Sequence, residues 1–119
     1  MGFANTKRFT EYAARKSVRY SRVGRQREAD IEKILVASGQ FNTVRRHEPH
    51  SNADCDGKDF TVWRGDAQRS FGVTISSHCW HDAELKHPQV PQFWFPLNTK
   101  PETIIARVTA LFDGAQTGP

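Results

Sequence analysis

Apolar and polar residues alternate with a period of two in the middle of the chain. The alternation runs through residues 60–64 and, after a turn at Gly65-Asp66, again through residues 71–76. A period of two is typical of half-buried strands, so these segments predict two adjacent strands. Residues 41–46 predict a strand before them, and residues 93–95 predict a short strand after them.

A helical period appears on both sides of this strand-rich middle. Residues 25–38 carry apolar side chains at helical spacing and end at Gly39, a natural helix C-cap. Later in the chain, Thr99 and Glu102 fit a capping box. The apolar positions that follow them predict a closing helix that ends at Gly114.

The remaining segments are more polar. Residues 6–22 predict a first helix that Gly24 separates from the next one. Residues 47–58 predict a loop, and residues 78–91 predict irregular structure or a short helix. The element order predicts an α/β or α+β domain with a small mixed sheet of about four strands, flanked by helices. Three parts follow: a basic helical arm at 1–24, one domain at 25–114 and a disordered tail at 115–119.

The positive charge of the chain is concentrated in its first 27 residues. The chain has 17 basic and 13 acidic side chains, a net charge of +4. Eight of the basic residues and only Glu11 of the acidic ones precede residue 28, which gives this part +7 and the rest −3. Such an arm suits a polyanion, most simply DNA or RNA, through phosphate contacts. The candidate contacts are Lys7, Arg8, Arg15, Lys16, Arg19, Arg22 and Arg25.

Two other interpretations of the arm stay open, a solvated charged helix and a mitochondrial-type transit peptide. No apolar run approaches the roughly 20 residues that a membrane span needs, and residues 1–27 lack an apolar signal core. Cys55 and Cys79 make no disulfide framework. The sequence therefore predicts a cytoplasmic protein with no membrane partner, or a protein of an organellar matrix if the arm is a transit peptide.

An aspartate, Asp59, stands where the first of the two central strands begins. Helix residue Glu28, loop residue Ser51 and Asp59 occur in an order that resembles the PD-(D/E)XK nuclease superfamily. The similarity is to its Holliday-junction-resolvase-like and restriction-endonuclease-like small domains, over residues 25–95. The next strand, FGVTISS, stands in the place of the family's acid-x-Lys strand. The resemblance implies a restriction-endonuclease-like fold and a nucleic-acid partner, and it makes a homodimer plausible.

The resemblance also implies roles for these residues. Asp59 and Glu28 match carboxylates that hold Mg²⁺, which prefers oxygen ligands. Thr74 and Ser76 occupy the positions of the family's acid and lysine, and neither side chain is charged. We therefore expect a catalytically degenerate nuclease fold that binds nucleic acid.

Two alternatives remain open. In the first, the chain is an active Mg²⁺-dependent endonuclease, because Asp56 supplies the missing carboxylate and Lys86 supplies the lysine. In the second, the degenerate fold is a protein-interaction module that binds a protein partner as an inhibitor or a subunit. The net charge of −3 after residue 27 supports this second alternative, because it is a poor match to a polyanion.

Every histidine and cysteine of the chain lies within residues 47–87. A zinc site would need three or four of them to converge, but no Cys-x2-Cys or His-x3-His spacing is present. The candidate zinc ligands are His50, Cys55, Cys79 and His81. Surface histidines beside buried thiols are the alternative. Among the aromatic residues, Trp63 alternates outward and is the candidate for stacking on an unpaired base.

Overall fold

The computed structural model describes residues 22–113 of the chain. The predictions for the arm before residue 22 and for the tail after Asp113 lie outside these residues. Among the predicted phosphate contacts, Arg22 and Arg25 are within the described part.

Within residues 22–113, four helices flank a four-stranded mixed sheet, which confirms the predicted fold class. The strands lie side by side in chain order; the first three are antiparallel, and the fourth is parallel to the third. The elements are α1 (residues 22–37), β1 (Thr43–Arg46), α2 (Asn52–Cys55), β2 (Phe60–Arg64), β3 (Ala67–Thr74), α3 (Ser77–Lys86), β4 (Gln92–Trp94) and α4 (Pro101–Ala110).

The central hairpin forms as its alternation predicts. Arg64 pairs with Ala67, so Gly65 and Asp66 make a two-residue turn. Gly65 has a φ of 63°, a left-handed conformation that glycine adopts without strain. Its amide donates to the Asn42 side chain at 2.6 Å, which ties the turn to the segment before β1.

One face of the sheet forms the hydrophobic core. Phe60 and Phe71 stack with their ring centroids 5.4 Å apart. Burial of such side chains is the main stabilising contribution to a domain of this size. The fully buried members, contributed by the sheet, α1, α4 and the residue after β4, are Ile31, Leu35, Phe60, Val62, Phe71, Phe95, Ile104 and Val108.

Several predicted boundaries were wrong. Gly24 does not separate two helices, because residues 22–37 are continuously helical. Thr99 is not the N-cap of the last helix: Pro101 is its first residue and Lys100 its cap, without a side-chain cap bond. Proline favours this first position because its fixed φ is already helical and its missing N–H would have no partner there. That last helix ends at Ala110, before Gly114.

Two polar segments contain helices. The predicted loop at 47–58 includes one helical turn, α2, whose cap Ser51 accepts a bond from the Asp54 amide at 3.2 Å. Residues 78–91 include the short helix that was one of the two predictions, capped in the same way by Ser76. None of the helices within residues 22–113 has the length and apolar character required to cross a membrane.

Candidate functional site

Asp59 is held at the start of β2 by two bonds to β3. Its amide donates to the Phe71 carbonyl at 2.8 Å, and its carboxylate accepts the Val73 amide at 2.7 Å. The side chain thus takes an acceptor position that a backbone carbonyl would otherwise fill in the sheet. This geometry fixes the carboxyl group at the edge where β2 and β3 meet the loop carrying α2.

Two other carboxyl groups lie close to Asp59. The pKa of Asp59 is raised to about 7, mainly by burial and also by the charges of Glu28 and Asp54, against the opposing hydrogen bond from the Val73 amide. Asp54 is also within hydrogen-bonding reach of the Asp59 carboxyl group. The pKa of Glu28 is raised by burial and then by Asp54. Three acids from α1, α2 and the start of β2 therefore form one group, hereafter the acidic group.

The third member of the acidic group is Asp54, which the sequence argument did not select. The sequence pointed to Asp56, but Asp56 is exposed at the C-terminal end of α2. The cap bond from the Asp54 amide to Ser51 sets the helical turn that directs Asp54 inward. Its carboxylate also accepts the His50 amide at 2.8 Å. The signal for this helical turn was the Ser-x-x-Asp spacing of residues 51–54, because serine is a favoured N-cap.

Asp59 lines a cleft of about 250 Å³ between the sheet and α3. Lys86, the predicted replacement for the missing lysine, lines the same cleft from the last turn of α3. Its ammonium group lies 3.0 Å from the Asp82 carboxylate, one helical turn earlier. The remaining lining residues are Gly57, Thr74, His78, Cys79, Asp82, Ala83, His87 and Gln92.

The β3 positions beside Asp59 carry no charged side chain. Phe60 pairs with Phe71, so the next β3 residue towards Asp59 is Gly72. A Cβ at Gly72 would lie 2.5 Å from the Gly57 carbonyl oxygen, which leaves no room for a larger residue. Thr74 ends the strand, and Ser76 lies outside it as the cap of α3. The predicted placement of Ser76 on the strand was therefore wrong.

Basic side chains border the acidic group on the side of α1 and β1. Arg46 donates to the Arg25 carbonyl at 3.4 Å, and both guanidinium groups oppose the rise in the pKa of Glu28. The Arg46 Nε atom also lies 3.7 Å from the Glu32 carboxylate oxygen Oε1. Arg27 differs from these residues: it is buried, and its guanidinium donates to the Phe95 and Pro96 carbonyls, so its role is structural.

The sheet face opposite the core is polar. The register and the alternation of β-strand side chains place Trp63 and Thr61 on this face together with Arg45 of β1. Thr61 is buried, and its hydroxyl bonds to His47 at 2.7 Å and to Ser70 at 2.8 Å. Burial, followed by the charges of Arg45 and Lys58, lowers the pKa of His47. Trp63 is half-buried, next to the exposed Arg45 in the diagonal direction.

The structure does not bring the four zinc candidates together. Cys55 and Cys79 are free and exposed, and His50 and His81 are also exposed. Within residues 22–113, no three histidine, cysteine, aspartate or glutamate side chains are arranged to hold a metal ion. This finding also applies to Mg²⁺: the oxygen atoms of the acidic group are of the right type, but they do not form a ready-made coordination site.

Comparisons were made with protein-family models, with curated proteins and with solved structures. None of the three found a match to this chain. The acidic group, the cleft and the polar sheet face are the features of the molecule that bear on its function.

Proposed function

We propose that this chain binds nucleic acid on a nuclease-like α/β fold whose cleavage site is degenerate. The observation that carries the proposal is the distribution of charge around Asp59. Arg25 and Arg46 border the acidic group on one side, and Lys86 lines the cleft on the other. A polyanion that follows these cations would pass beside Asp59.

Arg22 adds a further cation to this surface, because it lies on α1 one helical turn before Arg25. Arg45 and Trp63 offer a second kind of contact on the polar face. An arginine and a half-exposed indole ring suit a phosphate and an unpaired base respectively.

The degenerate character of the site is supported by the β3 residues beside Asp59. Gly72 has no side chain and Thr74 is uncharged, so this strand supplies neither a carboxylate nor a lysine. A charged side chain at Gly72 is incompatible with the closeness of the Gly57 carbonyl. Binding without cleavage is therefore the function that this geometry favours.

A second candidate is cleavage of a phosphodiester with the help of Mg²⁺. It is favoured by the fact that Asp59 and Lys86 line the same cleft and that Asp54 joins Asp59 and Glu28. These residues would form a rearranged site with carboxylates on one wall and an ammonium group on the other. Because the carboxylates do not converge as ligands, this candidate ranks second.

Both candidates can be tested in one experiment. The purified protein is incubated with labelled branched, duplex and single-stranded DNA and RNA, with Mn²⁺ or with EDTA. Asp59→Asn is run beside it, because asparagine keeps an acceptor for the Val73 amide. Retention without cutting supports the degenerate binding protein. Cutting that requires Mn²⁺ and disappears in Asp59→Asn would instead establish the endonuclease.

The binding surface is tested with matched arginine variants. Arg25→Gln and Arg46→Gln are each expected to weaken duplex binding about three- to tenfold. Each should also reduce the slope of log affinity against log salt concentration by about one, the loss of one phosphate contact. Arg107→Gln, an exposed arginine of α4, serves as the control and should bind normally. Deletion of residues 1–21, which keeps the described α1 intact, should cause a larger loss. If the intact protein retains no nucleic acid at low salt, the protein-interaction alternative takes precedence.

A further inference from the structure

The turn that leads into Asp59 is held by two side chains, those of His87 just after α3 and of Gln92 at the start of β4. Gly57 has a φ of 84°, a left-handed conformation that favours glycine. A Cβ at this position would lie 2.5 Å from the Cγ and Cδ2 atoms of His87, so the imidazole ring rests directly on Gly57. The Gln92 side-chain amide donates to the Gly57 carbonyl at 3.0 Å.

Gln92 is itself fixed on two other sides. Its backbone carbonyl accepts the indole N–H of Trp80 at 2.9 Å, which attaches it to α3. It also pairs with Gly72 in the parallel register of β3 and β4. The absence of a side chain at Gly72 leaves the space that the Gln92 amide group occupies. One glutamine therefore connects the Gly57 turn, α3 and β3.

From these contacts we infer that His87 and Gln92 are positioning residues that set the separation of Asp59 and Lys86 across the cleft. The inference rests on the proposed function, because it assigns the two residues to the site that contacts the phosphate backbone. Gly57, His87 and Gln92 all line the cleft. His87 directly follows Lys86 in the sequence. Its contact with Gly57 therefore links the end of α3 that carries Lys86 to the turn two residues before Asp59.

The clasp formed by Gly57, His87 and Gln92 is polar and lies outside the hydrophobic core. None of the three is among the fully buried apolar residues, and the bond from Gln92 to Gly57 is a neutral hydrogen bond of ordinary strength. Its loss should therefore leave the core packing in place. The expected consequence is local: the Gly57 turn moves independently of α3, and the separation of Asp59 and Lys86 across the cleft is no longer fixed.

The test uses Gln92→Met, because methionine has a similar length but cannot donate to the Gly57 carbonyl. The matched control is Gln89→Met, an exposed glutamine in the segment that connects α3 to β4. In the Gln92 variant, hydrogen exchange of the Val73 amide should become at least about tenfold faster, because its partner Asp59 opens with the turn. The Asn42 amide, bonded to the Trp63 carbonyl at the other end of β2, should exchange as before.

The second readout is a double-mutant cycle on duplex affinity. Lys86→Gln is expected to weaken binding by the native protein about five- to tenfold, and to have much less effect in the Gln92→Met background. Additive losses, or an unchanged exchange rate at Val73, would overturn the positioning role. The exchange measurement needs no nucleic acid. If the native protein binds none, the proposed function fails, while the amide result still decides whether the clasp holds the turn.

Discussion

The strand β2 and the residue before it, Asp59, differ in what they contribute to the protein. β2 packs Phe60 and Val62 into the core, where burial stabilises the fold. Asp59 lies beside Glu28 and Asp54, where burial and mutual repulsion raise its pKa to about 7. An arrangement that keeps a buried acid close to two others costs stability when the acid is ionised. Such a cost is typical of sites retained for function rather than for folding.

The largest effect on stability is expected in the hydrophobic core. Phe71 is fully buried and lies between Phe60 and Phe93, with both ring centroids 5.4 Å away. Phe71→Ala should lower the free energy of unfolding by about 3–5 kcal/mol, since it leaves a cavity between these rings. Urea denaturation measures the change. Val36→Ala, at an exposed position of α1, should change it by less than about 0.5 kcal/mol.

Asp59→Asn should raise the free energy of unfolding, whereas Phe71→Ala lowers it. The pKa of Asp59 in the folded protein, about 7, exceeds the usual value of 3.8. The folded state therefore binds a proton that the unfolded state has lost between about pH 4 and pH 7, and stability falls as the pH rises through this window. The variant should be about 1–3 kcal/mol more stable than the native protein at pH 8 and similar to it at pH 4.

This gain is measured by urea denaturation at several pH values. Asp66→Asn, at the exposed turn between β2 and β3, is the control and should show no such trend. A native protein whose stability does not decline between pH 4 and pH 7 would remove the distinction between β2 and Asp59. The site would then be an ordinary solvated acidic turn.

The core strands and the acidic group also differ in how far the sequence predicts them. The core strands can be predicted from residue type, because an apolar residue in a half-buried strand marks a position that faces the core. The alternation at 60–64 and 71–76 was therefore sufficient to predict the central hairpin and its turn. The acidic group depends on contacts between segments far apart in the chain. Glu28 and Asp59 followed from the resemblance, but the choice between Asp54 and Asp56 depended on one helical turn that composition did not reveal.

Local rules also competed at element boundaries. Gly24 predicted an interruption, but glycine in a helix costs only about 1 kcal/mol relative to alanine, which packing elsewhere in the helix can exceed. Thr99 and Glu102 matched a capping box, yet Pro101 determined where the helix begins. The cleft could be anticipated only in part. Lys86 was selected because a lysine was missing, whereas Gln92 and His87 became visible through their contacts with Gly57.

A smaller effect is expected on the polar face of the sheet. Thr61→Val removes a buried hydroxyl and leaves the His47 and Ser70 side chains without this partner. The free energy of unfolding should fall by about 1–2 kcal/mol, because the partly buried His47 and Ser70 side chains each lose a hydrogen bond. Thr43→Val, an exposed position of β1, should be neutral or slightly stabilising. Equal unfolding curves for both variants would show that the polar face contributes no more to folding than an exposed surface does.

The smallest effect on stability is expected at two serine helix N-caps that have the same local chemistry. Ser51 caps the single turn that carries Asp54, and Ser76 caps the ten-residue α3. Replacing either serine with alanine should cost about 0.5–1 kcal/mol. Only Ser51→Ala should also weaken the fall in stability between pH 4 and pH 7, because it frees Asp54 to move away from Asp59. If Ser76→Ala flattened the pH dependence equally, the effect would come from general loosening of the fold. The position of Asp54 would then not be what raises the cost of ionising Asp59.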